Sequence, residues 1–307
     1  MKVSIIGGTG FVGRHVLKRL TAEGHTARVL VRPGREHKLP VLPGCDAVSG
    51  EVGDEAALRS CLDGADAVIY LIGILRELPK KGITFDALQR RGAERTFDIA
   101  RELGVSRALL MSANGIDAAV TPYQQTKLAS EEALKASGLD WTIFRPSVIF
   151  GDPDGCMEFC SQLKSDLIDA PMPAPLFYRG LLPKDAGGFQ LSPVHVDDVA
   201  DAFVRSLGRA ESHGQTYELC GPEALTWKEI LTTIAAAVGK RKLMVPAPVM
   251  AIGSAAALLD RFSWFPVTRD QLTMLLAGNT CSDDGLGRLG IVPRAFDQMA
   301  LSYLRES

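Results

Sequence analysis

The sequence predicts an α/β fold: a doubly wound parallel sheet with a smaller, mostly helical C-terminal domain on the substrate side. Short, wholly apolar runs alternate with helix-period stretches through the first half of the 307 residues. The first of these runs leads straight into the glycine turn Gly7-Gly8-Thr9-Gly10-Phe11-Val12-Gly13. The alternation then lapses between Gly151 and Gln190, where prolines and glycines cluster. Apolar strands without polar alternation are buried on both faces, which requires a parallel sheet with helices on each side.

The strands expected are Val3 to Ile6, Ala27 to Val31, Ala67 to Ile72, Ala108 to Met111 and Thr142 to Phe144. Between them, helices are expected over Phe11 to Ala22, Glu55 to Leu62, Phe85 to Leu103 and Tyr123 to Ala136. Right-handed crossovers wind such a chain doubly. After the irregular segment 151–190, a strand is expected over Leu191 to Val196, a helix over Asp198 to Leu207 and a strand over Thr216 to Leu219. From Leu225 onward the pattern is mostly helical. The expected division is therefore 1–150 with 191–221 as the sheet domain, and 151–190 with 222–307 as the smaller one.

The glycine turn lies between a strand and a helix, the context in which it binds a dinucleotide. One glycine permits the turn, a second admits backbone amides to a pyrophosphate, and Gly13 lets the helix pack closely. The helix N-terminus adds unpaired donors and the positive end of its dipole. These features make the sheet a Rossmann domain. An NAD site normally offers an acid at the end of the second strand. Here that position is Arg32, followed by Arg35 and Lys38, with Glu36 the only acid nearby and Arg14 within reach of the same spot. Guanidinium groups suit a ribose 2′-phosphate, which favours NADP(H); with Arg32 in a merely solvated basic loop, NAD(H) is the alternative.

Composition narrows the function. A formal charge of -2 gives no bulk attraction for nucleic acid. Cys45, Cys61, Cys156, Cys160, Cys220 and Cys281 are scattered without CxxC spacing, and the histidines lack H-x3-H spacing, so reduced buried thiols are expected and no metal site. The apolar stretch Leu243 to Leu259 is broken by Pro246, Pro248 and Ser254 and is too short to span a bilayer. With a strand beginning almost at Met1, no leader is expected, and the expected location is cytoplasmic, with peripheral attachment at the inner face of a membrane as the alternative.

Thr121-Pro122-Tyr123-Gln124 reads as a helix start, with Thr121 as cap and Gln124 completing a capping box. Tyr123 and Lys127 then share one face, and an ammonium beside a phenol favours tyrosinate. The preceding strand ends at Ser112.

With these motifs the chain resembles the short-chain dehydrogenase/reductase superfamily, in its extended and atypical, epimerase/dehydratase-like branches. The matching stretches are the glycine turn, Gly50 to Asp54, Tyr123 to Lys127 with Glu131, Arg145 to Gly151 and Pro193 to Val199. The resemblance implies Tyr123 as acid–base residue, Lys127 as ribose ligand and tuner of the tyrosine, and Ser112 as the group orienting a carbonyl. It implies cofactor contacts from Gly7, Gly8, Thr9, Gly10, Phe11, Val12, Gly13, Arg14, Arg32, Glu51, Val52, Leu71, Gly73, Pro146 and Val148, and substrate contacts from Arg145 and His195. Two departures stand out: Ala113 follows Ser112 where extended members often pair serines, and Glu51 stands where many relatives place aspartate. Further stretches, Leu71 to Ile74, Gly138 to Pro146, Val267 to Leu272 and Leu286 to Ile291, are similar to the branch containing the nucleotide-binding accessory subunit of respiratory complex I. Mitochondrial members of that branch are thought to hold NADPH as a structural ligand.

Two readings follow: an NADP(H)-dependent oxidoreductase or sugar-nucleotide epimerase acting on a small-molecule substrate, and a cofactor-stabilised accessory subunit with a protein partner. Asp197 reads as the cap of the helix beginning at Asp198, with His195 packed at the domain junction, and Arg145 as either a substrate contact or a buried ion pair. Pro248 to Leu259 and the aromatic run Arg261-Phe262-Ser263-Trp264-Phe265-Pro266 are read as a substrate lid, a docking patch or part of the small domain's core.

Overall fold

The first strand, β1 (Lys2–Ile6), has Val3, Ile5 and Ile6 fully buried, and the sheet grows outward from it in both directions. The structure, a computed structural model, describes residues 1–180, 182–249 and 269–305. The chain divides into two compact units, of which the first comprises Met1–Pro146, Val196–Leu219 and Asp283–Val292. On one side of β1 lie β2 (Thr26–Val31) and β3 (Cys45–Ser49); on the other lie β4 (Ala67–Tyr70), β5 (Arg107–Met111), β6 (Asp140–Pro146) and, after an excursion through the second unit, β11 (Gln215–Leu219). All neighbours in the order β11-β6-β5-β4-β1-β2-β3 are parallel. The chain reverses its winding between β1 and β4, and ligands bind such sheets at the carboxyl ends flanking that point.

Helices α1 (Phe11–Ala22), α2 (Glu55–Leu62), α3 (Gly92–Glu102), α4 (Pro122–Ala136) and α6 (Val196–Leu207) belong to this unit. One core joins Leu58 and Leu62 of α2, Phe97 and Ala100 of α3 and Leu134 of α4 to Ile6, Val68, Leu110 and Ile143 of the sheet. Helix α1 buries Val16, Leu17 and Leu20 completely and is tied to α6 by two pairs in register, His15 to Asp197 at 2.8 Å and Arg19 to Asp201 at 2.7 Å. Helix α6 starts at Val196, two residues before the expected Asp198, so Asp197 lies in the first turn and meets His15 instead of capping. The helix expected over Phe85 to Leu103 is interrupted: Asp86–Arg91 is π-helical before α3 begins. A part-buried hydrogen bond from the Tyr70 hydroxyl to Leu88 O holds that widened turn.

The second unit comprises Ser147–His195, Cys220–Ser282 and Pro293–Ser307. Its strands pair in twos: β7 (Ile149–Phe150) with β10 (Val194–His195), β8 (Ala174–Tyr178) with β13 (Met244–Pro248), and β9 (Gln190–Leu191) with β12 (Leu225–Thr226). The strand expected over Leu191 to Val196 is thus two. Pro193 has no N–H to donate, Ser192 N–H goes to Asn279 O, and Val194 N–H goes to Val148 O, so the pairing changes partner in mid-run. Accordingly Leu191 to His195 lie in this unit rather than with the sheet, and Asp283–Val292 returns to the sheet unit. The segment 151–190, expected to be irregular, contains β8 and the short helix α5 (Phe159–Leu163). Helix α7 (Trp227–Ala237) opens with a Thr226–Glu229 capping box and centres the core. Trp227 stacks on Phe177 and Phe189 and donates its indole N–H to Pro175 O at 3.0 Å. Trp264, Phe265 and the rest of 250–268 lie outside the described residues.

The cysteines require a correction. Cys61 and Cys160 are buried thiols as expected, but Cys220 and Cys281 form a disulfide. Their sequence separation of 61 leaves no local motif, and only folding brings their Cα atoms to 5.9 Å. Under denaturing, non-reducing conditions, alkylation should label four of the six cysteines and reach all six only after reduction. Replacing both Cys220 and Cys281 by serine should lower unfolding free energy by about 4 kcal/mol through the loop entropy restored to the unfolded chain, measured by urea denaturation without reductant.

Candidate functional site

The glycine turn lies at the carboxyl end of β1. Gly7 has φ of +99°, and a Cβ there would stand 3.1 Å from Ile72 N in the chain leaving β4. At Gly13 a Cβ would fall 2.4 Å from Gly7 O, so α1 can approach the turn only without a side chain. Helix α1 has no side-chain cap and no acid in its first turn. Its leading amides and dipole are therefore directed at whatever binds there, an arrangement that fits a pyrophosphate. Thr9 and Phe11 are half-buried and Val12 is buried within the turn.

At the end of β2, Arg32 and Arg35 are exposed, and neither side chain has a hydrogen-bond or ion-pair partner among the described residues. Arg14 of α1 donates to Lys38 O, tying the basic loop to the helix that follows the glycine turn. Glu36 accepts from Ser49 Oγ at 3.1 Å at the end of β3. Two guanidiniums thus stay available while the one acid is engaged. Val52 and Leu71 are buried; Glu51 and Gly73 are exposed.

Ser112 follows the end of β5, and Tyr123 and Lys127 lie in the first two turns of α4. The Thr121–Gln124 capping box forms as expected, with Gln124 Oε1 accepting from Thr121 N–H at 3.0 Å. Lys127 is only 2% exposed; its Nζ donates to Met111 O at 2.8 Å and Ile72 O at 3.2 Å, and lies 3.5 Å from where a Gly73 Cβ would be. Burial pulls this ammonium down to about 8, against the opposing pull of Glu131. Tyr123 is half-buried, its ring edge-on to Phe85 at 5.8 Å. Burial pushes its phenol up to about 12. This is opposite in direction to the expected lowering, and the Lys127 ammonium is directed at the carbonyls of Met111 and Ile72. Ser112 is buried, and its Oγ has no hydrogen-bond partner among the described residues. An orphaned buried hydroxyl one residue past the carbonyl that holds Lys127 fits a site that a cofactor and a carbonyl would complete.

Arg145 forms the ion pair that was one of its two expected roles. Its guanidinium donates to both Glu131 oxygens at 2.8 Å and to Asp117 at 2.8 and 3.1 Å. These carboxylates hold its charge well above its ordinary range. Pro146 ends β6 and accepts from Asn114 N–H at 3.0 Å. Val148 and His195 belong to the second unit, where the His195 ring meets Phe150 edge-on at 5.1 Å. Two residues beside Tyr123 and Lys127 escaped the sequence reading. Phe85 packs on Tyr123, and Gln89, 1% exposed, donates to Ile74 O at 2.9 Å while accepting from Thr126 Oγ1 at 2.9 Å. The nearest signal was the apolar face of the segment after Phe85; nothing local marks Gln89 as a bridge.

A family model described as NAD(P)H-binding matches residues 7–165, just over half of the chain. Ceramide reductase of Caulobacter vibrioides is 28% identical over 291 residues, covering 93% of this chain and 82% of that protein. The mitochondrial 40 kDa subunit of NADH-ubiquinone oxidoreductase from Neurospora crassa is 24% identical over 269 residues, covering 86% of this chain and 67% of that protein. Among solved structures, the NAD complex of UDP-glucose 4-epimerase from Thermus thermophilus shares the fold, with a TM-score of 0.75 at 20% identity over 100% of this chain and 98% of that one.

Glu131 is fully buried, so removing its partner strands a charge. Arg145→Met should cost ~3–5 kcal/mol of stability, with Lys135 at 3.5 Å the only other cation near Glu131 among the described residues. Pairing it with Glu131→Gln should restore a large part of that loss, read as a coupling in a denaturant double-mutant cycle.

Proposed function

Since the chain belongs to the NAD(P)H-binding family, we propose that it is an NADP(H)-dependent oxidoreductase of short-chain type that reduces a carbonyl. The observation that carries this reading is the buried Ser112 hydroxyl, unpartnered among the described residues, next in the chain to Met111, whose carbonyl holds the Lys127 ammonium at the carboxyl edge of the sheet. In this reading the uncapped end of α1 and the turn Gly7 to Gly13 bind the pyrophosphate, and Arg32 with Arg35 holds the ribose 2′-phosphate. Bound NADPH supplies the hydride. Ser112 Oγ donates a hydrogen bond that orients the carbonyl oxygen. Tyr123 gives that oxygen its proton, and a phenol pushed up to about 12 by burial remains a neutral acid throughout the physiological range. Lys127, steadied by Met111 O and Ile72 O, binds the ribose and supports the tyrosinate left behind.

A second reading is supported by the absence of any lowering of the Tyr123 phenol and by the relative that is a subunit of NADH-ubiquinone oxidoreductase. There the dinucleotide acts as a structural ligand of an accessory subunit. At a thousandfold excess over Kd it would contribute about 4 kcal/mol to folding.

NADPH should bind more tightly than NADH in calorimetric titration, and Arg32→Ala should weaken NADPH roughly 10- to 100-fold, the range of one charge-assisted phosphate contact. Equal affinities for the two cofactors would remove the assignment of Arg32. In turnover assays against a panel of ketones with NADPH, Tyr123→Phe should abolish reduction while leaving NADPH affinity unchanged. A wild-type chain that binds NADPH tightly, gains thermal stability from it and reduces none of the panel would support the accessory reading.

A further inference from the structure

The chain leaving β4 forms a small hairpin before the π-helical segment. Leu78 N–H donates to Ile83 O at 2.7 Å and Ile83 N–H returns to Leu78 O at 3.3 Å, while Lys81 and Gly82 close the turn on Leu78 O and Pro79 O at 2.8 and 3.0 Å. Its root is fixed from within the sheet unit: Gln89 donates to Ile74 O, and Glu77 accepts from Phe85 N–H at 2.6 Å. A hairpin tied this firmly presents its side chains in a set arrangement. Yet Leu75 is 54% and Leu78 40% exposed. Lys80 and Lys81, at the turn, are exposed and have no ion-pair or hydrogen-bond partner among the described residues. The charges of Arg76 and Glu77 cancel, so the two lysines give this segment a positive charge on a chain whose formal balance is -2.

Leucines beside unpaired lysines match a bilayer interface, where apolar side chains enter the acyl boundary and ammonium groups meet headgroup phosphates. A protein partner is less well matched, because lysine is depleted from the cores of protein interfaces and these lysines sit at the turn of the same short hairpin as the leucines. We infer that the hairpin 74–83 docks this protein on an anionic lipid surface. No described helix is long and apolar enough to cross a membrane, and the inferred attachment is a peripheral one through this hairpin. The inference is independent of whether Tyr123 acts as an acid.

The test is flotation of the full chain with vesicles of phosphatidylcholine alone or mixed with phosphatidylglycerol. The wild type should float with the anionic vesicles only, and less as salt shortens the Debye length below about 10 Å. Leu75→Ser/Leu78→Ser and Lys80→Glu/Lys81→Glu should each reduce the bound fraction about tenfold or more. Circular dichroism melts should leave both variants as stable as the parent, and either one alone suffices if the other misfolds. A wild type that stays unbound, one that binds both vesicle types equally, or binding that neither folded variant reduces overturns the inference. So does a wild type that ignores vesicles but forms a stoichiometric complex with an acidic protein.

Discussion

The candidate site depends on how closely the first helix approaches the first strand. With a Cβ at Gly13 only 2.4 Å from Gly7 O, any side chain there would force α1 away from the turn. Its leading amides would then no longer converge, and its contacts with α6 through His15 and Arg19 would lose register. The same turn sets the far wall, because Gly7 abuts the chain at Leu71 and Ile72, and Ile72 O is one of the two carbonyls that anchor Lys127. Glycine turn and lysine are thus positioned by one close contact between the ends of β1 and β4.

A second constraint operates at the other side of the sheet unit. Arg145 spans from Glu131 on α4 to Asp117 in the loop between β5 and α4, clamping the loop that follows Ser112 onto the helix that carries Tyr123 and Lys127. A fully buried carboxylate is tolerable only because its partner is forked and charged. The arginine holds the scaffold of the site in place, and its charge is already matched by carboxylates. Gln89 acts similarly in neutral form, tying the chain after β4 to Thr126.

Much of this could be read from the sequence wherever the physics is local. The bounds of α1 and α2 were legible because apolar periodicity and flanking turn residues agree, and the Thr121–Gln124 capping box because its spacing is fixed by one helical turn. Strand β3 carried no such signal: Cys45-Asp46-Ala47-Val48-Ser49 is an edge strand with no fully buried residue, so nothing selects for an apolar run. The π-helical turn at Asp86–Arg91 depends on Tyr70 reaching Leu88 O, a contact made 18 residues away. That Arg145 enters an ion pair was one of two roles open to it in the sequence, and the partners Glu131 and Asp117 became visible only in the fold. The upward pull of burial on the Tyr123 phenol was not legible, because the direction of the Lys127 ammonium, unlike its spacing along a helix, is set by the carbonyls of Met111 in β5 and of Ile72 in the chain after β4.

The Cys220–Cys281 bond has a topological consequence. It closes a covalent ring that contains α7, β13 and everything up to Cys281. A protease that cuts once inside that ring opens it without separating the chain, since both halves stay joined through sulfur. Such a nicked molecule keeps the mass of the intact one, apart from one added water, until the bond is reduced.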